Sequence, residues 1–478
     1  MRMSLSRLAK RDFQTDIKLQ RAIIAKAEGV FIWVYIVARD ILKSVRNRDS
    51  IPELWKMVQA LPRDIEPLYD HIMSQIEHFN LPWSSRIFQI VRARLELGST
   101  PNAKGLTGDG FTSGFTVAKD DSGGCLSIVD IYLSLDEDLD YKTVGTKFQD
   151  QLDSKCQEAE FHIAARCACL LEVRNTNGDS SASSRSLVQY LHRTARDFIE
   201  EPRRWEEVLS YTRTAAFDPY WYLMRGCSFA FHGFSIGKDR FIDYPPDDQM
   251  LDTAIRILIL ASYANAHTLS HQEQCKILDA TSQTLFKHNI DLSNWPESLN
   301  HNGIPECLKN PFISVALSLN LSEYVSKKLY RLMFQDGDPT RAKFSATFML
   351  HQIDGSNLIA VDGLPHMSFE MASTLIVRGA DVNYKSPFWK TTWQWFLERN
   401  IPEEDLLQET KEGLKVNPNL VPLMSLFLKA GANPSVRVSV GGEGGSRTIT
   451  LLDYFEKYIR RRYPKDAEKL HRDITESM

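Results

Sequence analysis

The first residues of the chain repeat apolar side chains at helical spacing. Between Gln14 and Val45 an apolar residue recurs every three or four positions, which predicts one long helix. Within that helix, the run from Phe31 to Val37 is apolar on nearly every side. A helix that is hydrophobic all round is buried or lies between partners, so this segment needs cover on more than one face.

Two further helices follow in the same pattern. Asp49 and Ser50 are expected to cap a helix whose first turn carries Pro52 and Glu53, and the Leu61-Pro62 pair ends that helix. Apolar positions then predict a third helix from Asp64 to Phe79. We therefore expect a helical bundle over residues 1–80.

The pattern changes between residues 81 and 201. Helix-like segments precede two strand-like runs, Leu170 to Val173 and Leu187 to Leu191, and the second run passes directly into a helix that begins near His192. Helices, a hairpin and then a helix predict a winged-helix-like domain. Residues 100–124 are rich in Gly, Ser and Thr, and their composition predicts a disordered loop inside this domain.

The C-terminal part reads as an irregular helical array. Residues 202–365 form a series of helical patterns with polar breaks, and residues 366–478 contain two stretches that resemble each other. These stretches, Met371 to Phe396 and Leu423 to Phe455, each show an apolar helix, then Gly-Ala-Asp or Gly-Ala-Asn, then a loop, a threonine and a new apolar helix. The fold class expected for the whole chain is therefore mainly α, with one small β-hairpin.

The two stretches resemble ankyrin repeats. In such a repeat the glycine, here Gly379 or Gly431, ends a helix in the left-handed conformation. Ankyrin units recur at about 33 residues, and the gap between these two glycines is wider, which predicts insertions in a degenerate array.

Composition narrows the class of protein. The chain has 478 residues with 43% hydrophobic and 25% charged residues, which is ordinary for globular domains. A net charge of −4 predicts no specific nucleic-acid partner. The longest apolar run, Gly29 to Ala38, is too short to cross a membrane, and no secretory signal precedes it. We expect a cytoplasmic protein with no membrane partner.

The sequence offers no catalytic residues, no metal ligands and no cofactor site of its own. Nothing reads G-x-x-x-x-G-K-S/T, and the glycine-rich run Gly441 to Arg447 lacks the lysine of a phosphate-binding loop. Cys156, His162, Cys167 and Cys169 lack the spacing of paired metal ligands, so we interpret the cysteines as small buried thiols.

Two stretches carry a resemblance to a known family. They are Glu28 to Phe79, with GVFIWV and LPRDIEPLYDHI, and Leu187 to Ile199, LVQYLHRTARDFI. Both resemble the segments that follow the nucleotide-binding core in fungal NACHT-type signalling NTPases of the STAND class, although the core itself is absent. The resemblance implies that His192 occupies a nucleotide-sensing position, reaching the β-phosphate of bound ADP. Arg193 stands where plant relatives carry Asp, and the alternative is that His192 only caps the helix or packs in the hairpin.

The expected function is a non-enzymatic protein–protein interaction or scaffold module, similar to the regulatory and sensing part of such a signalling protein. The expected partners are proteins, either a NACHT-type NTPase or a second copy of this chain bound through the first 80 residues. One alternative is the regulatory half of an NTPase whose core is supplied in trans or lost from the gene model. The other is a winged-helix DNA binder that uses the arginines around His192, although neighbouring glutamates oppose their charge.

Overall fold

The computed structural model describes most of the chain, with gaps. The described residues are 13–46, 49–99, 126–137, 141–175, 181–184, 186–215, 217–236, 247–264, 271–287, 311–334, 339–354, 368–385, 390–400, 419–440 and 447–478. The loop expected over residues 100–124 lies outside them. The chain divides into two compact units. The first unit comprises Met1–Arg94, Cys125–Asp136 and Lys147–Pro219, and the second comprises Leu95–Gly124, Glu137–Thr146 and Tyr220–Met478.

The expected mainly α fold is confirmed, with two small antiparallel sheets. The elements up to the end of the first unit are α1 (Phe13–Ala27), α2 (Phe31–Arg46), α3 (Ile51–Ala60), α4 (Ile65–Met73), α5 (Leu81–Ser99), β1 (Leu126–Ser127), α6 (Ile128–Leu135), α7 (Tyr141–Arg166), β2 (Leu171–Arg174), β3 (Leu187–Tyr190), α8 (Arg193–Ile199) and α9 (Pro202–Ser210).

The elements that follow are also mostly helical. They are α10 (Pro219–Ile236), α11 (Asp247–Tyr263), α12 (His271–Lys287), α13 (Pro311–Ser318), α14 (Ser322–Phe334), α15 (Pro339–Asp354), α16 (Phe369–Val377), α17 (Thr392–Arg399), α18 (Leu420–Lys429), β4 (Arg437–Val440), β5 (Arg447–Thr450), α19 (Leu451–Tyr454) and α20 (Pro464–Ser477). Within the described residues, no helix is both long enough and apolar enough to cross a membrane.

The prediction of one long helix from Gln14 to Val45 is wrong, because the chain breaks between α1 and α2. Glu28 has a φ of 48° and Gly29 a φ of 87°, so both adopt the left-handed conformation. The amide of Val30 donates to the carbonyl of Ala27 at 2.8 Å and closes the turn. Glycine adopts this conformation at little cost, which lets α2 fold back onto α1 and bury apolar side chains of both helices.

The third helix of the bundle is shorter than the sequence predicts. It ends at Met73, where the hydroxyl of Ser74 bonds to the carbonyl of His71 at 2.7 Å and competes with further helical hydrogen bonds. Phe79, predicted to lie at the end of this helix, is in a separate 3₁₀ turn and is 76% exposed. The prediction that the helix continues to Phe79 is therefore wrong.

Two side chains close the bundle through hydrogen bonds to residues distant in the sequence. The indole nitrogen of the buried Trp33 donates to the carbonyl of Pro62 at 2.8 Å. The ammonium of Lys26 donates to the carbonyls of Val58, Gln59 and Leu61 at 2.7 to 2.9 Å, which are acceptors left open at the C-terminal end of α3. A cation at this end of a helix also interacts favourably with the helix dipole.

The hairpin predicted before His192 is present as β2 and β3, with Leu171 opposite Tyr190. The sequence pattern missed a third strand. Leu126 and Ser127, expected to start a helix, instead pair antiparallel with Val188 and Leu187 of β3, so the sheet order is β1-β3-β2. The side chain of Ser127 accepts from the amide of Val129, so the helix begins only at Ile128.

In the second unit, three helices end with the same geometry. Asn320, Gly379 and Gly431 have φ values of 55°, 92° and 85°. The residue that follows each of them donates its amide N–H to the carbonyl five positions earlier, and Ala380, for example, donates to Leu375 at 3.0 Å. This hydrogen bond is typical of the Schellman arrangement. The left-handed glycines are as expected. In the stretch from Pro311 to Leu329, the left-handed Asn320 separates α13 from α14.

Side-chain amides join the last two of these turns. Asn383 donates from its amide nitrogen to the carbonyl of Gly431 at 2.7 Å and accepts from the amide of Asn433 at 3.0 Å. Beneath them, the rings of Trp393, Phe396 and Phe427 stack with centroids 5.1 to 5.9 Å apart. The sequence pattern also missed the hairpin of β4 and β5 that flanks the glycine-rich run, whose residues 441–446 lie outside the described chain.

Candidate functional site at His192

His192 lies between the last strand of the sheet and α8. Its backbone is extended, with φ −157° and ψ 158°, and it is the N-cap residue of α8. The ring nitrogen Nδ1 accepts from the amide of Thr194 at 3.2 Å and lies 2.8 Å from the hydroxyl oxygen of Thr194. The side chain is exposed. The structure therefore places His192 at the junction that the sequence predicts, in a capping position.

Thr194 links this histidine to the helical bundle. Its hydroxyl oxygen is 2.8 Å from the hydroxyl of Tyr69 on α4, and the ring of Tyr69 packs 5.1 Å from that of Phe198. Burial raises the pKa of Tyr69, and the hydrogen bond with Thr194 opposes that rise. Tyr69, Thr194 and His192 thus form a hydrogen-bonded chain from the buried bundle to the surface.

These hydrogen bonds determine which nitrogen of the His192 ring carries the proton. Because Nδ1 accepts the backbone N–H of Thr194, the proton of the neutral ring is on Nε2. The exposed Nε2–H of His192 is a hydrogen-bond donor directed away from Thr194. Such a donor suits an acceptor oxygen of a ligand or partner.

Three of the arginines near His192 are paired with acidic side chains. Arg204 binds Asp70 through both nitrogens, with the Nη2–Oδ2 distance 3.0 Å, and its guanidinium carbon lies 3.8 Å from the centroid of the Phe198 ring. Arg193 and Arg196 lie 3.6 and 3.3 Å from Asp197 and Glu200, one turn further along α8. Arg185 lies outside the described residues. These pairs leave little local excess of positive charge for a nucleic-acid backbone.

The cysteine of α7 and the two that follow the helix differ in burial, and Cys169 is only partly buried. Cys156 and Cys167 are buried, and burial raises the pKa of Cys156 to about 12. Cys169 follows the end of α7 in the left-handed conformation, and its thiol donates to the carbonyl of Ala164. Across the described part of the chain, no group of three or more His, Cys, Asp or Glu side chains is arranged to hold a metal ion.

A second candidate surface is the aromatic face of α2, formed by Phe31 and Tyr35 together with Val30 just before the helix. Phe31 is 90% exposed, Tyr35 52% and Val30 41%. The opposite face, which includes Trp33 and Ile36, is fully buried. The sequence predicted that this helix is apolar on nearly every side, and the structure shows which of its faces lacks cover within the described residues.

Comparisons with known proteins give one result. No curated protein and no solved structure matches the chain. Residues 75–239, about a third of the chain, match the model of a family described as a domain of unknown function, DUF7791. The matched segment includes the sheet and the His192 junction, and the aromatic face of α2 precedes it.

Proposed function

We propose that the chain is a non-enzymatic protein–protein interaction module, which corresponds to the regulatory and sensing part of a fungal NACHT-type STAND signalling protein. The order of the two resembling stretches, Glu28 to Phe79 and then Leu187 to Ile199, supports this relationship. The observation that carries the interaction function is the aromatic face of α2.

The aromatic face has the properties of a protein-binding surface. Phe31 and Tyr35 are four residues apart, so their side chains are neighbours on the helix surface. Fully burying one such side chain is worth about 1.5–3 kcal/mol, and aromatic residues dominate the affinity of protein interfaces. Trp33 anchors the opposite side of the helix through its hydrogen bond to Pro62, so the face is already ordered before a partner binds.

Self-association through this face is the direct test. We expect the wild-type chain to associate at tens of micromolar concentration, as measured by sedimentation velocity over a concentration series. The double variant Phe31→Glu with Tyr35→Glu should remain monomeric, because two charges would have to be desolvated in the interface. Both side chains are exposed, so the variant should keep its circular dichroism spectrum and melting temperature.

A matched control separates the face from general surface stickiness. Val377 is 79% exposed on α16, outside the aromatic face, and Val377→Glu should leave self-association unchanged. A wild-type chain that stays monomeric across the series would contradict self-association through α2. So would a double variant that associates as strongly as the wild type.

A second candidate function rests on a different observation. The exposed Nε2–H donor of His192 supports a role as the regulatory half of an NTPase whose nucleotide-binding core is supplied in trans. In that case His192→Asn, which keeps a side-chain acceptor for the cap, should weaken the nucleotide response of the assembled complex without destabilising the chain. An unchanged nucleotide response in His192→Asn, with loss of stability only in His192→Ala, would favour a capping role alone.

A further inference from the structure

A groove opens between α5, α6 and α7 in the first unit. It has a volume of about 210 Å³, and its lining includes Trp83, Tyr132, Leu135, Ala159, His162 and Ile163. We name it the Trp83 groove. It lies within the segment that matches the domain of unknown function, and it plays no part in the proposed interaction through α2.

The walls of the Trp83 groove are apolar and aromatic. Ile163 is fully buried at its floor, and the ring of His162 meets the ring of Trp83 edge-on at 6.3 Å. Beside His162, Phe161 is 71% exposed at the surface of α7. Concave sites with aromatic walls and a few polar groups at the rim are the usual form of a small-ligand site, and aromatic walls favour a ring that packs offset or edge-on.

Charged side chains of both signs surround the groove. Burial and the charge of Asp136 raise the pKa of Tyr132 to about 12, and the Nζ of Lys155 lies 5.9 Å from the centroid of the Tyr132 ring. Burial and the charge of Arg166 lower the pKa of His162, and the charge of Glu158 opposes that change. Neither end of the groove is therefore of one sign.

Arg166 is the cation best placed to hold a ligand. Its guanidinium carbon lies 4.9 Å from the centroid of the ring of Trp83, which lines the groove. Lys155 is already paired with Glu158 at 3.0 Å, whereas Arg166 makes no ion pair with a carboxylate in the described part of the chain. A guanidinium stacked on an indole keeps its N–H groups free to bind a carboxylate at the ring edge.

We propose that the Trp83 groove binds an aromatic ring that carries a single carboxylate. The ring lies between Trp83, Tyr132 and Ile163, and the carboxylate pairs with Arg166 at the His162 end. A doubly charged group such as a phosphate fits less well, because Glu158 and Asp136 share the same rim. The same chemistry occurs in a free aromatic acid and in a peptide that ends with an aromatic residue.

The first experiment measures binding of indole-3-propionate and of its neutral amide to the full chain, by calorimetry and ligand-observed NMR. We expect saturable binding of the acid and about tenfold weaker binding of the amide, which lacks the charge-assisted bond. The tripeptide Gly-Gly-Trp with a free carboxylate tests whether the groove binds a peptide that ends with an aromatic residue. Tighter binding of the peptide assigns the site to a protein terminus, and tighter binding of the free acid assigns it to a small molecule.

Variants test the location. Ala159 lines the groove without being part of the core, so Ala159→Phe should fill it and abolish binding of both probes. Ala165 is exposed on the same helix and does not line the groove, so Ala165→Phe is the matched control and should bind normally. Arg166→Gln should weaken binding of the acid about tenfold and leave binding of the amide unchanged.

Four results would overturn the proposal. The first is no saturable binding of the acid or the peptide up to about 10 mM, which is far weaker than a specific ligand site requires. The second is full binding by Ala159→Phe, and the third is equal affinity for acid and amide. Equal loss in Ala159→Phe and Ala165→Phe would also overturn it, because the effect would then come from α7 as a whole. Circular dichroism of each variant shows that the comparison is made on folded protein.

Discussion

The Thr194 hydroxyl shows how a single side chain connects parts of the fold that are distant in sequence. It lies 2.8 Å from both the Tyr69 hydroxyl and the Nδ1 of His192, and 125 residues separate Tyr69 from Thr194. The sequence places His192 at the strand–helix junction through its neighbours alone. The contact with Tyr69 follows from tertiary packing, and no local sequence pattern predicts it.

We expect Thr194→Val to lower the free energy of unfolding of the first unit by about 1–3 kcal/mol. Valine has nearly the same shape, but the buried Tyr69 loses its hydrogen-bond partner and keeps the cost of leaving water. Thr194→Ser retains the hydroxyl and is the matched control. Urea unfolding followed by fluorescence measures both, and equal stability of the valine and serine variants would show that this bond contributes nothing.

At the scale of elements, helix ends decide where the chain turns. The glycines of the two Gly-Ala-Asp/Asn motifs predict left-handed ends for α16 and α18, and both are present at Gly379 and Gly431. Asn320 ends α13 in the same way without a glycine signal, because asparagine also tolerates this conformation. The apolar residues on either side of it continue the helical pattern, so periodicity alone could not locate the break.

We expect Gly431→Ala to destabilise the second unit by about 1–2 kcal/mol, the cost of holding an L side chain in the left-handed region. A Cβ at this position meets no heavy atom within 4 Å, so the effect comes from the backbone and not from crowding. Gly431→Asn should cost less. Urea denaturation of the three proteins gives the comparison, and equal losses for Ala and Asn would contradict a conformational cause.

At the scale of the whole molecule, the chain exposes apolar surfaces, and its sequence lacks a phosphate-binding loop. The aromatic face of α2 exposes apolar side chains, the lining of the Trp83 groove is largely apolar and aromatic, and three of the arginines near His192 are paired with acids. Nothing in the 478 residues supplies the glycine-loop amides and lysine that hold nucleotide phosphates.

The chain alone should therefore bind neither ATP, GTP nor ADP in the presence of magnesium. Isothermal calorimetry at protein concentrations of tens of micromolar measures this, with a phosphate-release assay for hydrolysis. A dissociation constant in the micromolar range for any of the three nucleotides would contradict the prediction. Such a result would also remove the need for a core supplied in trans.

The sequence by itself determined the features that depend on neighbouring residues. Apolar periodicity predicted most helices, Ser50 with Glu53 predicted a helix start, and turn residues between two short runs predicted the β2–β3 hairpin. These signals are strong because helical periodicity, capping and tight turns involve residues only a few positions apart.

Tertiary structure decided the rest. The left-handed turn at Gly29 is favoured once α2 packs against α1, and Leu126 becomes a strand residue because β3 offers it an open edge. The buried side of α2 is set by the bundle around Trp33, and the Trp83 groove needs three helices that meet only in the fold. Each of these outcomes depends on burial and hydrogen bonding between residues far apart in the chain, which a local pattern does not encode.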